Sequence, residues 1–286
     1  MPCRSTTPPR SWTITTVSYA DNDLLYRLCE SVLVIGTDVG HNQHTLVIRC
    51  PAGLKDSMFA RLRRLLSRPA ALSTLSSLAA YQQWATAYPP TAHNVLMQTE
   101  EAAMLSLLPD VRGAALLDLA CGSGRYARIA LERGARLALG VDNSEAMLRV
   151  NALPLRALGA LDSIPLATAC MDGVLCGLAI GHIPRLQPAA AEIARVLKPG
   201  GWALISDFHP FVFLNGARRT FTGADGRTYA VEHYAHLYSD VQEAFTQAGL
   251  VVECVLEPRL DPSFAATPAG MGGTPVVIVY RMRKLL

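Results

Sequence analysis

The sequence predicts an α/β fold: a parallel sheet with helices packed on its faces. Three observations predict it. From Leu116 onward, short apolar runs alternate with stretches of helical spacing roughly 10–15 residues long. One run, Ala115–Leu119, leads into Ala120-Cys121-Gly122-Ser123-Gly124, after which Tyr126, Ile129, Ala130 and Arg133 recur at helical spacing, so the order is strand, glycine-rich turn, helix. Half of the 286 residues are apolar and only 17% are charged, enough for a sizeable core.

Taken in order, residues 1–70 read as an N-terminal extension. They open Ser/Thr/Pro-rich and contain two strand-like runs, Ser31–Ile35 and Thr45–Ile48. A basic amphipathic helix over Leu54–Leu66 follows, with Arg61, Arg63 and Arg64 off its apolar face. Order is expected to be poor in parts of this segment. Residues 71–286 read as the main domain. Tyr81, Trp84 and Tyr88 share one helical face that Pro89-Pro90 ends, and His93–Leu108 is a second helix. The strand Leu116–Leu119 comes next, then the helix Arg125–Arg133 stopped by Gly134, the strand Arg136–Val141, and a helix over Ser144–Asn151 with Ser144 as its cap. Leu155–Leu158 and Gly173–Gly177 are further strands. A helix over Pro188–Leu197 ends at Lys198-Pro199-Gly200-Gly201, before the strand Trp202–Ser206. Residues 207–236 read as a loop-rich insert. The helix Ser239–Ala248, with Gly249 after it, and the strands Val251–Leu256 and Val276–Met282 close the chain.

Composition excludes several classes. No apolar run reaches the roughly 18–20 residues of a membrane span, and Arg4, Pro8-Pro9 and Arg10 interrupt any signal-peptide core. The first 20 residues do hold two Arg, many Ser/Thr and no acid, a composition transit peptides share. Seven scattered cysteines without a C-x-x-C spacing read as free thiols in a reducing cytoplasm. No His/Cys/Asp spacing suggests a metal site. Residues 1–70 hold nine Lys/Arg against five Asp/Glu, and the remainder holds 17 against 18. A main domain so near neutrality argues against a nucleic-acid partner.

The glycine-rich turn places backbone N–H groups and a helix N-terminus at the carboxyl end of a strand, where nucleotide-like ligands bind in open α/β sheets. Gly122, Gly124 and Ala127 fit G-x-G-x-x-G/A, and Asp142 follows Gly124 by eighteen residues, which suits a dinucleotide. Two acids weigh against that ligand. Asp118 just before the turn repels a diphosphate but attracts an ammonium group. Asp162 in Leu161-Asp-Ser-Ile-Pro165 can accept from an adenine amino group.

Leu117-Asp-Leu-Ala-Cys-Gly-Ser-Gly124, Gly140-Val-Asp142, Leu161–Pro165 and Arg195-Val-Leu-Lys-Pro-Gly-Gly201 resemble the successive motifs of class I S-adenosylmethionine-dependent methyltransferases, nearest to the ubiquinone/menaquinone and malonyl-carrier-protein enzymes. The resemblance covers residues 78–284. It implies a Rossmann-like, doubly wound, seven-stranded sheet, mostly parallel, with an antiparallel last strand inserted between the fifth and sixth, under a helical N-terminal cover. It implies S-adenosylmethionine as cofactor. Asp118, Ala120, Gly122 and Gly124 would line its methionine end and Asp142 would hold its ribose. Asn143 and Met147 would flank the adenine, Asp162, Ser163 and Ile164 would read its edge, and Cys176 and Leu178 would border the sulfonium. Ala120 departs from the family's usual Gly, which is tolerable where φ is negative.

Each position has a structural alternative: Asp142 as a helix-capping acid, Asp162 as a turn residue, Met147 as core. For proton removal or substrate orientation the leading candidates are His209 and then His182, with His233 and His236 further along the insert. Arg218, Arg219 and Arg227 are either contacts to an anionic substrate or surface charges, and Tyr88 is a candidate substrate contact. No Asn/Asp-Pro-Pro-Tyr/Phe tetrapeptide follows Gly177, which favours a small-molecule or carrier-bound acceptor over a nucleic acid. A cytoplasmic monomer or homodimer is expected. The rivals are a nicotinamide-dependent oxidoreductase and a non-catalytic S-adenosylmethionine-binding protein.

Overall fold

The computed structural model describes residues 72–260 and 273–286, together with the backbone of 11–15, 33–40 and 43–49. The chain divides into two compact units, Met1–Ala71 and Leu72–Leu286. In the first, β1 (Ser11–Thr15), β2 (Leu33–Gly40) and β3 (Gln43–Arg49) form an antiparallel sheet in the order β1-β3-β2. The apolar runs at 31–35 and 45–48 fall on β2, from Leu33, and on β3. The basic helix expected at 54–66 lies outside the described residues.

The second unit begins with β4 (Thr74–Leu75), α1 (Ser77–Trp84) and a 3₁₀ turn, Ala85–Ala87. Ser76 caps α1 by accepting from Ala79 N, and Tyr88 leaves the turn extended before Pro89-Pro90. In α2 (Val95–Leu107), Asn94 accepts from Met97 N and so starts the helix later than the expected His93. The sheet core follows: β5 (Ala115–Leu119), α3 (Arg125–Glu132), β6 (Leu137–Asp142), α4 (Glu145–Val150), β7 (Arg156–Leu158) and β8 (Met171–Gly177). Then come α5 (Gln187–Val196) and β9 (Leu197–Phe208). All five residues of β5 are buried, as a parallel strand covered by helices on both faces requires.

β9 starts five residues before the expected Trp202. Lys198–Gly201, expected to end the helix ahead of the strand, is a bulge within the strand: pairing with β8 steps from Met171–Leu197 to Gly173–Trp202. The insert is less irregular than its composition suggested. It contains α6 (Pro210–Leu214) and the antiparallel pair β10 (Thr220–Thr222) and β11 (Thr228–Val231). β11 also pairs with β4, joining the insert to the segment before α1 in a three-stranded sheet. Trp84 stacks on Phe221 across that junction, with ring centroids 5.3 Å apart. Insert and N-terminal cover are therefore one layer.

The chain ends with α7 (Tyr238–Gln247), β12 (Leu250–Leu256) and β13 (Val277–Lys284). The seven-stranded order is β12-β13-β9-β8-β5-β6-β7, with β13 antiparallel to both neighbours. This is the doubly wound sheet the sequence predicted, with its last strand inserted. From β5 the chain moves outward through β6 and β7, then returns to β8 on the other side of β5. That reversal opens a crevice at the carboxyl ends of β5 and β8, where ligands bind in such sheets. Among the described residues no helix is long and apolar enough to cross a membrane.

Candidate functional site

A cleft of about 300 Å³ occupies this switch point. Its floor is the turn after β5. Ala120 and Gly122 have φ of +54° and +51°, and Gly124, which caps α3, has +81°. Ala120 thus takes the left-handed conformation and not the negative φ under which Ala was expected to be tolerable, so backbone strain sits at the cleft. Leu178, just past β8, is strained in the same way, with φ +56°. A Cβ on Gly122 would lie 3.3 Å from Met147 Cε, on the cleft side. On Gly124 it would lie 2.7 Å from Asn151 Oδ1, away from the cleft. Gly124 therefore serves the turn and its packing and does not line the site.

Three carboxylates stand at or after three successive strands. Asp118 is buried in β5, and its Oδ2 accepts from Ala127 N at 2.8 Å, in the first turn of α3. Burial pushes its carboxyl up to about 7. Asp142 ends β6. Its Oδ2 accepts from Gly122 N and its Oδ1 from Ser144 N, each at 2.8 Å, so it fastens the turn and holds Ser144, the cap of α4. Burial raises this carboxyl too, against the backbone N–H groups it accepts. Asp162 lies on the exposed turn after β7, in a short antiparallel bridge between Ala160 and Ser163.

The cleft brings together Asp118, Ala120, Gly122, Asp142, Asn143, Met147, Asp162, Leu178, Tyr88 and His182. Ser163 and Ile164 stay outside it. Ser163 N–H is taken by Ala160 O, and Ile164 N–H by Glu192 Oε2 at 2.8 Å, so neither backbone N–H is left to read a ligand edge. Gly159, Ala160 and Leu161 line the cleft instead. Cys176 is fully buried in the core, because strand alternation turns it away; Gly177, Leu178 and Ala179 reach the cleft. Burial keeps that thiol protonated.

His209, the first-ranked candidate, is not in the cleft. Its Nδ1 accepts from Phe211 N at 3.2 Å as the cap of α6, and its Nε2 lies 3.1 Å from Glu257 Oε1. His233 and His236 line a separate small cavity with Asp207 and Tyr280. Arg218 is exposed, its guanidinium 4.8 Å from the Phe213 ring. The next residue, Arg219, is the arginine that lines the cleft.

His182 sits among fixed partners. Its Nδ1 is 3.0 Å from Glu232 O, which can only accept, so Nδ1 carries the hydrogen. The Nε2 lone pair faces Tyr81 OH at 3.2 Å and Arg219 Nη1 at 3.1 Å. Burial, aided by the Arg219 charge, pushes the imidazole down to about 3. With its lone pair directed at Tyr81 OH and Arg219 Nη1, His182 orients both neighbours.

The sequence reading missed a buried cluster beneath the cleft. Glu100 of α2 is wholly buried. Its Oε1 accepts from Tyr126 OH at 2.6 Å and Ser206 OH at 2.5 Å, and its Oε2 from Arg125 Nη2 at 2.8 Å. Arg125 Nη1 also pairs with Glu101 at 3.0 Å. The only sequence signal was an acidic pair, Glu100-Glu101, inside an apolar helix.

The donor set tests which ligand fits. Asp118, Asp142 and Asp162 surround the turn, and Arg125 is committed to Glu100 and Glu101. That end is unsuited to a diphosphate and suited to a ligand carrying positive charge, such as the ammonium and sulfonium of S-adenosylmethionine. Each Asp142 oxygen has accepted one backbone hydrogen bond from a group of the protein and retains a lone pair for a ligand hydroxyl.

Comparison with known proteins points the same way. Residues 117–205 match the family described as Methyltransferase domain. The chain is similar to an S-adenosylmethionine-dependent methyltransferase from Mesorhizobium loti whose structure is solved, with a TM-score of 0.55 and 24% identity over 65% of this chain and 98% of that one. A malonyl-[acyl-carrier protein] O-methyltransferase from Enterobacter lignolyticus is 34% identical over 113 residues, 38% of this chain and 45% of that protein. An uncharacterised Haemophilus influenzae protein is 29% identical over 150 residues, 47% and 59% of the two chains. The chain thus spans about half the length of the curated relatives it matches.

Proposed function

We propose, from the premise that this chain carries a class I S-adenosylmethionine-dependent methyltransferase domain, that it transfers a methyl group by in-line displacement to a small-molecule or carrier-bound acceptor. The observation that carries the reading is the placement of Asp118, Asp142 and Asp162 at or after β5, β6 and β7 around a single cleft. S-adenosylmethionine supplies an electrophilic methyl on its sulfonium, so the protein need only bind, orient and exclude water. In this reading Asp118 attracts the ammonium end, with the Ala120–Gly122 turn beside it. The free lone pairs of Asp142 accept from the ribose hydroxyls. Asp162 accepts from the adenine amino group, with Met147 and Leu161 beside the ring. Leu178, Ala179, Tyr81, Tyr88, His182 and Arg219 make the other end, where the acceptor enters under the cover layer. The malonyl-carrier-protein relative supports a carrier-bound acyl group as one acceptor class.

Calorimetry on the full chain with S-adenosylhomocysteine and with a nicotinamide dinucleotide tests the reading. Binding of the first alone is expected, with loss of at least about tenfold in Asp142→Ala, as removal of a charge-assisted acceptor predicts. Binding of the dinucleotide alone overturns it.

A further inference from the structure

We infer that Arg219 selects the acceptor and that the acceptor presents it with a carboxylate, an inference that rests on the methyltransferase reading above.

The guanidinium is fixed along one edge only. Nη1 donates to Leu178 O at 3.0 Å and to His182 Nε2 at 3.1 Å, which uses both of its hydrogens. Nε–H and the Nη2 hydrogens make no hydrogen bond, and the guanidinium makes no ion pair, with any described residue. The side chain lines the cleft. Its guanidinium carbon is 5.6 Å from the Tyr81 ring centroid and 5.4 Å from that of Phe208, so the cation is held against two aromatic rings. The unused Nε–H and one Nη2–H point in parallel, the fork that accepts a carboxylate bidentately.

His182 makes this arrangement possible. Glu232 O holds the hydrogen on Nδ1, which aims a lone pair at Arg219 and at Tyr81 OH. Tyr81 in turn lies edge-on to His182, ring centroids 5.5 Å apart. Charge count decides between a carboxylate and a phosphate. Arg125 is already paired with two carboxylates, so Arg219 is the cleft's one uncommitted cation among the described residues. It can balance a single negative charge. A phosphate dianion would leave a charge uncompensated in a cleft that already holds the carboxylates of Asp142 and Asp162.

The test uses the full chain saturated with S-adenosylhomocysteine, titrated by calorimetry with hexanoate, hexanamide and inorganic phosphate. Hexanoate is expected to bind at least about tenfold more tightly than the other two. Arg219→Gln abolishes that preference while S-adenosylhomocysteine affinity stays within about threefold. Arg219→Lys keeps the charge, loses the fork and weakens hexanoate by about three- to tenfold. Hexanoate binding no tighter than hexanamide or phosphate overturns the inference, as does a preference that survives Arg219→Gln. If that variant no longer holds S-adenosylhomocysteine, unchanged hexanoate affinity in Arg219→Lys overturns it instead. Failure of the wild-type chain to bind S-adenosylhomocysteine sinks the methyltransferase reading itself.

Discussion

Asp118 shows how one buried carboxyl ties stability to ligand binding. Burial holds it up to about 7, and the Ala127 N–H offsets only part of that. A carboxyl raised in the folded state binds more protons than in the unfolded chain. Its contribution to stability is therefore full below the ordinary value of 3.8 and is lost as pH rises through 7. A bound ammonium reverses the preference, because it pairs with the ionised form. S-adenosylhomocysteine binding at pH 6 should then release a proton, and its affinity should rise with pH up to about 7. Calorimetry at pH 6 in two buffers of different ionisation enthalpy measures the release, which Asp118→Asn should remove. A pH-independent affinity in the wild type would take Asp118 out of the ammonium site. The positions of Asp118, Gly122 and Asp142 were legible because the carboxyl end of an apolar strand, or the turn just after it, fixes where they stand. Arg219 and Arg218 were not separable, because an irregular segment has no period to say which of two adjacent side chains turns inward. Cys176 failed for a related reason. Alternation sends its thiol to the core, and a motif shows where a strand ends but not which face each residue takes.

Among the elements, α2 does more than cover the sheet. Through Glu100 it gathers hydrogen bonds from α3 (Arg125 and Tyr126) and from β9 (Ser206), so three elements meet at one carboxylate under the cleft. Glu100→Ala leaves a buried guanidinium and two hydroxyls short of an acceptor. It should destabilise the domain by about 3–5 kcal/mol, the usual result of removing one partner from a buried pair. The urea midpoint measures this; a loss below about 1 kcal/mol would mean that water or Glu101 replaces the carboxylate. Helical spacing revealed α2, but nothing in that period says that its two acids point at a partner far along the chain. The insert was hidden for the opposite reason. β4, β10 and β11 span two to four residues each, too short for alternation to register. Their pairing joins Thr74 to Ala230, a contact that local pattern does not carry.

At the scale of the whole molecule, strand order places the cleft. It was legible because three motifs fall in sequence at or just after the ends of β5, β6 and β7 and a fourth at the start of β9, and a doubly wound sheet allows few ways to connect them. The same logic bears on the N-terminal unit. Every described residue lining the cleft belongs to the second unit, from Ser77 to Arg219. The first strand of that unit, β4, begins at Thr74 and pairs with β11, so a functional fragment must keep it. We propose that residues 1–71 are an extension and that 72–286 is the methyltransferase domain. That fragment should fold alone and bind S-adenosylhomocysteine within about threefold of the full chain, since it keeps every described residue that lines the cleft. A start at Arg156 would sever the unit, and a start at Ser77 would strip β11 of β4, its parallel partner, and remove the Ser76 cap of α1. The Ser77 fragment should therefore hold the cofactor less firmly, through a loosened cover, although it lacks only five further residues. Calorimetry on the 72–286 and 77–286 fragments separates the cases. Equal affinity in both would show that the β4–β11 pair does not steady the cleft, and a drop of more than about tenfold already in 72–286 would assign part of the site to the first unit.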